Sequence, residues 1–284
     1  MKIVLNFLKL IHIHPILVIF IFISFITGTF TQLFLIFLIV IIHEAGHYLA
    51  ASLYKWRIYS IVLWIFGGVM KTDESNNRKI KEDIIVTIAG PLQHIFIFLL
   101  LLSFDYLNIL PKSVISQGHY YNAMILLFNL LPIYPLDGGK LLFYFLSTIV
   151  PFRKAHQFTI VFSFLSCFSL ILVQIIFFPF TLSAFLLISF LIFENWTEWR
   201  NKYYTFMRFL LNRLNHPLEC NKSEILIISD ECRLIDVFKQ FRRNRIHELQ
   251  IAESEYILSE NKCLRLYFKE KKVMETIGEI IREP

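Results

Sequence analysis

Several apolar segments of this chain are long enough to cross a lipid bilayer, and this constrains the fold most. A membrane helix needs about 20 apolar residues to span the hydrocarbon. Of the 284 residues, 56% are hydrophobic and 30 are phenylalanine, an apolar content that soluble proteins rarely carry. The sequence predicts an all-α polytopic membrane protein embedded in the lipid bilayer. Six transmembrane segments are predicted, at residues 11–28, 31–54, 84–104, 120–149, 158–178 and 182–196.

The basic residues predict the orientation of these segments. With the N-terminus inside, the inner segments 1–10, 55–83 and 150–157 carry ten lysines and arginines, whereas the outer segments carry only Lys112. An excess of positive charge marks cytoplasmic loops. Both termini are therefore expected in the cytoplasm, and the net charge of +6 does not by itself indicate nucleic-acid binding.

The composition changes after residue 196. The segment beyond it holds sixteen of the 28 basic and fourteen of the 22 acidic residues. Leu234, Val237, Phe238 and Phe241 recur at helical spacing between two strand-like runs. We predict a transmembrane domain at 1–196, a linker helix at 197–222 and a small cytoplasmic α/β domain at 223–284. The four cysteines form no C-x-x-C pair, so neither a disulfide framework nor a thiolate zinc site is indicated.

The second predicted span contains the sequence His-Glu-Ala-Gly-His, from His43 to His47. On a helix, this spacing places both imidazoles on one face, close enough to share a zinc ion. Glu44 is then placed to accept a proton from a water that the ion activates. Ionisable residues inside a membrane span are unfavourable and usually functional. The alternative is a pair of histidines that merely satisfy each other's hydrogen bonds between helices.

A catalytic zinc commonly has three protein ligands, and Asp137 is the best candidate for the third. It is the only acidic residue between positions 106 and 193, and it follows Pro132 and Pro135, which break the fourth span. His94 and Asp105 are the other candidates. The alternative role for Asp137 is to cap the helix that restarts at Gly138.

The segment 58–70 is apolar but too short to cross the bilayer, and Gly67 and Gly68 interrupt it. It predicts a re-entrant loop or hairpin that pairs with an unwound substrate as an added strand. An interfacial loop without catalytic importance is the alternative. The predicted substrate-binding residues are Phe66, Gly67, Gly68, Asn129 and Pro135.

Three motifs together resemble the site-2 protease family of intramembrane zinc metalloproteases. They are HEAGH at 43–47, AGP at 89–91 and NLLPIYPLDGGK at 129–140. The resemblance implies one Zn²⁺ held by His43, His47 and Asp137, with Glu44 as the general base. It extends over nearly the whole chain.

The resemblance is strongest to the members of this family that act in sporulation. It implies a pro-sigma factor as substrate, cleaved at the outer forespore membrane facing the mother cell. Two membrane inhibitory proteins are implied as partners, and a homo-oligomer is compatible with the family. The tail would be a CBS-like regulatory domain that senses ATP, although only one repeat fits in 88 residues and Gly278 is its sole glycine.

The motif residues therefore predict a hydrolytic zinc site within the membrane, and the resemblance implies an intramembrane zinc metalloprotease that cleaves a membrane-associated transcription-factor precursor. The rival from another class is a non-proteolytic zinc transporter or scaffold. Ligands distributed along a route would favour transport, whereas here they cluster beside a glutamate.

Overall fold

A computed structural model describes most of the chain. The described residues are 7, 9–64, 67–72, 74, 78–216, 223–252, 257–273 and 275–282, without the side chains of 280–282. By contacts the chain divides into two compact units, Met1–Leu141 with Thr181–Leu187, and Leu142–Phe180 with Ile188–Pro284.

The first unit combines apolar helices with a three-stranded sheet. Its elements are β1 (Ile11–Ile13), α1 (Pro15–Thr27), α2 (Phe30–Leu53), β2 (Ile58–Trp64), β3 (Gly67–Thr72), α3 (Ile80–Tyr106) and α4 (Lys112–Asn129). The strand order is β1-β2-β3, parallel between β1 and β2 and antiparallel between β2 and β3. Buried apolar side chains of α2, α3 and β2 form its core, among them Ile39, Val40, Ile61, Leu63 and Ile97.

The remaining described elements are six helices and the three strands of the C-terminal sheet. In order they are α5 (Asp137–Ile149), α6 (Phe152–Phe177), α7 (Leu182–Asn215), β4 (Ser223–Ile228), α8 (Leu234–Phe238), β5 (Ile246–Ile251), β6 (Ile257–Ser259), α9 (Glu260–Phe268) and α10 (Ile277–Arg282). In the second sheet, β5 pairs with β4 in parallel and with β6 antiparallel. The CBS-like identity and ATP binding of this region stay predictions.

Among the described helices, α2, α3 and α6 are long and apolar enough to cross a membrane. The chain is thus mostly helical with three candidate spans, and the six-span topology stays a prediction. The description "all-α" was wrong for the membrane part, because the predicted loop at 58–70 contributes to a sheet.

The first predicted span, at 11–28, was partly wrong. Residues Ile11–Ile13 form β1, and the helix begins only at Pro15, with His14 as its N-cap. Proline is favourable at the first helical position but lacks the N–H that a continuing helix needs. The helix that remains has 13 residues, which is short for a span.

The predicted fourth span, 120–149, is interrupted between α4 and α5. Glycine is required at positions 138 and 139, because the preceding backbone packs closely against them. A Cβ on Gly138 would lie 2.2 Å from the Leu130 oxygen, and one on Gly139 would lie 2.4 Å from the Ile133 carbonyl carbon. This tight turn puts Asp137 at the first position of α5.

Helix α7 is continuous across the predicted boundary at residue 196. It includes most of the predicted linker helix, of which residues 217–222 lie outside the described part of the chain. The division into domains at 1–196, 197–222 and 223–284 therefore stays a prediction.

Candidate metal centre

The two histidines of α2 lie side by side, as their spacing predicts. His43, Glu44 and His47 are all buried, and the imidazole Nε2 atoms of the two histidines are 3.0 Å apart. Their rings meet edge to face with centroids 4.7 Å apart. One face of one helix therefore presents both imidazoles to the same point.

Asp137 completes the group. Its Oδ2 lies 3.1 Å from Nε2 of His43 and 3.2 Å from Nε2 of His47, and the side chain is buried. Its other oxygen, Oδ1, accepts a hydrogen bond from Lys140 Nζ at 3.3 Å. The carboxylate thus faces the imidazole pair and does more than begin a helix.

The hydrogen bonds of the two other ring nitrogens fix the tautomers. His47 Nδ1 lies 2.8 Å from the Val86 carbonyl oxygen, which can only accept, so Nδ1 carries the proton and Nε2 a lone pair. The Asn122 amide donates to the His94 carbonyl at 3.0 Å, so its oxygen accepts from His94 Nδ1 at 2.8 Å. His94 Nε2 then accepts from His43 Nδ1 at 3.1 Å, leaving a lone pair on His43 Nε2.

Three acceptor atoms consequently converge without a proton between them. Oδ2 of Asp137 is buried and accepts no hydrogen bond within the described residues. Zinc binds nitrogen and oxygen at about 2.0–2.2 Å in tetrahedral geometry, which separates neighbouring ligand atoms by roughly 3.3 Å. The observed separations of 3.0 to 3.2 Å fit such a cation.

Glu44 lies between the imidazoles and the hairpin formed by β2 and β3. A carboxylate oxygen of Glu44, a ring nitrogen of His43 and a ring nitrogen of His47 all lie within 4.8 Å of one another. On its other side is Gly68 of β3, where an added Cβ would come within 2.4 Å of Glu44 Cγ. Glycine at this position therefore lets strand β3 approach the Glu44 side chain closely.

Small residues also let α2 and α3 approach closely at the site. A Cβ on Gly46 would lie 2.4 Å from the Ala89 oxygen, and one on Gly90 would lie 2.3 Å from His47 Nε2. The AGP motif thus makes room for the imidazoles.

The structure places the other predicted residues as follows. Asn129 is the last residue of α4, half-buried, and its amide donates to the Ile125 carbonyl at 3.1 Å. Pro135 lies in the break before α5, and Gly67 starts β3 opposite Trp64 with a φ of 140°. Phe66 lies outside the described residues.

Two residues that contact the proposed ligands directly or through a neighbour were not given this role from the sequence. His94 was considered as a ligand, but it contacts the far nitrogen of His43, and Asn122 was not considered at all. The available signal was a polar residue within each of two apolar segments, a pattern that usually marks function.

The chain is similar to known proteins in sequence and in fold. The family model described as Peptidase family M50 matches residues 31–110 and 108–173. The chain is 37% identical to stage IV sporulation protein FB of Bacillus subtilis, over 98% of both proteins. It is 32% identical to a zinc metalloprotease of Methanocaldococcus jannaschii over 126 residues, which cover 43% of this chain and 36% of that protein.

The fold is similar to the solved site-2 protease from Methanocaldococcus jannaschii. The TM-score is 0.53 with 25% sequence identity, covering 66% of this chain and 89% of the other. With the family match and the full-length relative, this similarity establishes the class of protein. The chain belongs to peptidase family M50 and is a membrane zinc metalloprotease of the site-2 type.

Proposed function

We propose that this protein cleaves a membrane-associated pro-sigma factor during sporulation, with His43, His47 and Asp137 as zinc ligands and Glu44 as general base. The convergence of two imidazole nitrogens and one carboxylate oxygen within 3.2 Å supports the ligand set. The similarity to a full-length sporulation protein supports the substrate class and the biological setting.

A zinc ion bound here supplies Lewis acidity, which activates a water and polarises a peptide carbonyl. The chain's own residues prepare this site. The hydrogen bonds that Nδ1 of each histidine donates, to His94 Nε2 and to the Val86 carbonyl, keep the Nε2 lone pairs directed at Asp137. Lys140 holds the second carboxylate oxygen, so Oδ2 is the atom left to bind the metal.

Glu44 moves the proton. Its buried carboxylate lies beside the imidazole pair, where it would take a proton from the attacking water and return it to the leaving amine. Neighbouring Gly68 confines the side chain to the space between the hairpin and α2.

Strand β3 is the proposed docking edge for the substrate. Within the described residues it is paired on one side only, with β2. An extended peptide added along its other edge would gain main-chain hydrogen bonds and expose its peptide bonds beside Glu44. A helical substrate hides those bonds, so it must unwind before cleavage.

Asn129 and Pro135 are proposed to hold the substrate main chain near the helix break. The Asn129 side-chain nitrogen donates within α4, so its oxygen is the atom we assign to substrate. Phe66, Gly67 and Gly68 would contact the peptide from the hairpin.

By the same reasoning we place the protein in the outer forespore membrane, with both termini facing the mother-cell cytoplasm. Two membrane proteins would inhibit it until the mature sigma factor is needed. A CBS-like tail would then receive a regulatory signal.

Glu44→Gln tests the proposed chemistry. Co-expression with a pro-sigma factor should give no processed product, because the amide cannot accept the proton, while zinc stays bound at one per chain. Immunoblotting measures cleavage and elemental analysis measures zinc. Normal processing by this variant would remove Glu44 from the mechanism.

Asp137→Ala is the matched variant for the ligand set. It should lose both cleavage and zinc, because only the two imidazoles remain. One tightly bound zinc per chain in this variant would show that Asp137 is not a required ligand.

A further inference from the structure

Two buried polar residues outside the ligand set, His94 and Asn122, lead to the metal site. His94 lies on α3 and Asn122 on α4, and they are 1% and 4% exposed. Burying such groups in apolar helices is unfavourable unless their hydrogen bonds are made. Here they are made with each other and with His43.

The direction of these hydrogen bonds matters for the metal. The Asn122 amide is oriented by the His94 carbonyl, which fixes the proton of His94 on Nδ1. Nε2 of His94 is thereby an acceptor and holds the proton of His43 on Nδ1. The lone pair of His43 consequently faces Asp137.

One stripe of α3 serves both histidine ligands. At intervals of four residues, Val86 accepts from His47 through its carbonyl, Gly90 makes room for both rings, and His94 accepts from His43. The partner of His47 is main chain, so substitution does not readily remove it. The partner of His43 is a side chain and can be changed.

We propose that Asn122 and His94 form a positioning relay that holds His43 in its zinc-binding tautomer and orientation. This inference rests on the proposed role of His43, His47 and Asp137 as zinc ligands. Partners of the second ring nitrogen commonly fix a metal-binding histidine, and their loss lowers metal affinity by about 10- to 100-fold. Both relay residues act through His43, so they are positioning residues.

The competing explanation is that the pair only joins α3 to α4. In that case, loss of either residue would lower stability without changing metal affinity once the protein is folded. The relay predicts instead that the two residues act in series, so that their effects on zinc affinity are not additive.

The test measures zinc affinity of the purified full-length protein by competition with a chromophoric chelator. His94→Leu should weaken zinc binding by about 10- to 100-fold, and Asn122→Leu should also weaken it. The double variant should bind no more weakly than His94→Leu. His94→Gln, which can accept from His43 and donate to Asn122, should recover most of the affinity.

Cobalt substitution supplies a second readout. The visible absorption of bound Co²⁺ should change in His94→Leu and return toward that of wild type in His94→Gln. His119→Leu is the matched control, because His119 lies on α4 against the Phe98 ring and outside the relay. It should leave both the spectrum and the affinity unchanged.

The outcomes separate the relay from the proposed function. If wild type binds zinc and His43→Ala loses it, but His94→Leu binds within twofold of wild type, the relay is wrong and the zinc centre stands. Additive losses in the double variant would also overturn the relay. If wild type binds no zinc, or if His43→Ala binds it as tightly, the proposed centre itself fails.

Discussion

At the scale of single residues, the glycines beside the proposed metal site matter as much as the side chains that form it. Gly90 lies against both imidazoles and Gly68 against Glu44, and in each case an added methyl would overlap a side chain that we propose to be a ligand or the general base. The ligands are rigidly surrounded, so small volume changes beside them should alter function more than similar changes elsewhere.

Gly90→Ala should therefore impair metal binding. The new Cβ would be 2.3 Å from His47 Nε2 and 2.9 Å from His43 Cε1, so the rings must move. We expect zinc affinity to fall about tenfold or more, comparable to changes in groups that orient ligands. Chelator competition measures it.

Gly118→Ala is the control for this change. Its Cβ would come closest to the two terminal carbons of Leu101, each at 3.1 Å, and these can shift. Zinc affinity should stay at the wild-type value. A loss in both variants alike would mean that any alanine in these helices disturbs the site, contrary to the steric argument.

The sequence was informative about these residues to different degrees. Helical periodicity alone pairs His43 with His47, because four residues make about one turn. Asp137 was accessible by elimination, as the sole acid in a long apolar stretch. Asn122 was not, because its contact with His94 depends on how α3 and α4 pack, and no local pattern encodes that contact.

At the scale of elements, the hairpin formed by β2 and β3 carries the proposed substrate edge and also contacts Glu44. Apolar character and two glycines indicated a loop or hairpin at 58–70. The parallel pairing of β1 with β2 could not be predicted, because it joins segments far apart in the sequence. The sequence shows one apolar run at 11–28, which predicts a single span, and it gives no local sign that Ile11–Ile13 pairs with a distant strand.

Gly68→Ala should separate catalysis from metal binding. Its Cβ would displace the Glu44 side chain, from which it would be 2.4 to 2.8 Å away. Cleavage should fall at least tenfold, since a misplaced base loses much of the 10²- to 10⁴-fold gain from proton transfer. Zinc should stay bound at one per chain.

Val69→Ala, at the next position of β3, is the matched substitution. Val69 is half exposed, so truncation should change cleavage by less than Gly68→Ala does. Loss of zinc in Gly68→Ala would instead indicate that the hairpin supports the ligands themselves.

At the scale of the whole molecule, each of the two units has its own buried polar centre. In the second unit this is Arg213 of α7, which donates to the carbonyls of Arg242 and Arg245 and pairs with Glu260 at 2.6 Å. Glu260 also accepts from the backbone N–H of His247. These bonds fasten the C-terminal sheet to the end of α7.

Arg213→Met should destabilise this unit strongly. It leaves the Glu260 carboxylate buried without its cation, a change that typically costs about 3–5 kcal/mol. Urea-dependent proteolysis of the full-length protein, followed through C-terminal fragments, measures the loss.

Lys239→Met supplies the contrast. Lys239 and Asp236 form an exposed ion pair, and such pairs contribute about 0–1 kcal/mol. The urea midpoint of proteolysis for Lys239→Met should stay near that of wild type. Equal midpoints for the two variants would contradict the assignment of Arg213 as the main polar attachment.

The segment that leads into β5 also contacts aromatic residues of the helices in its own unit. Phe152 at the start of α6 stacks on Phe209 with ring centroids 4.1 Å apart, and its N–H donates to the Phe241 carbonyl at 3.0 Å. Phe209 and Phe241 in turn flank the Arg213 guanidinium. A chain ended by proteolysis after residue 216 would lose Phe241 and expose the Phe152 and Phe209 rings to water, so it would become prone to aggregate. The tail therefore stabilises the helices that carry it.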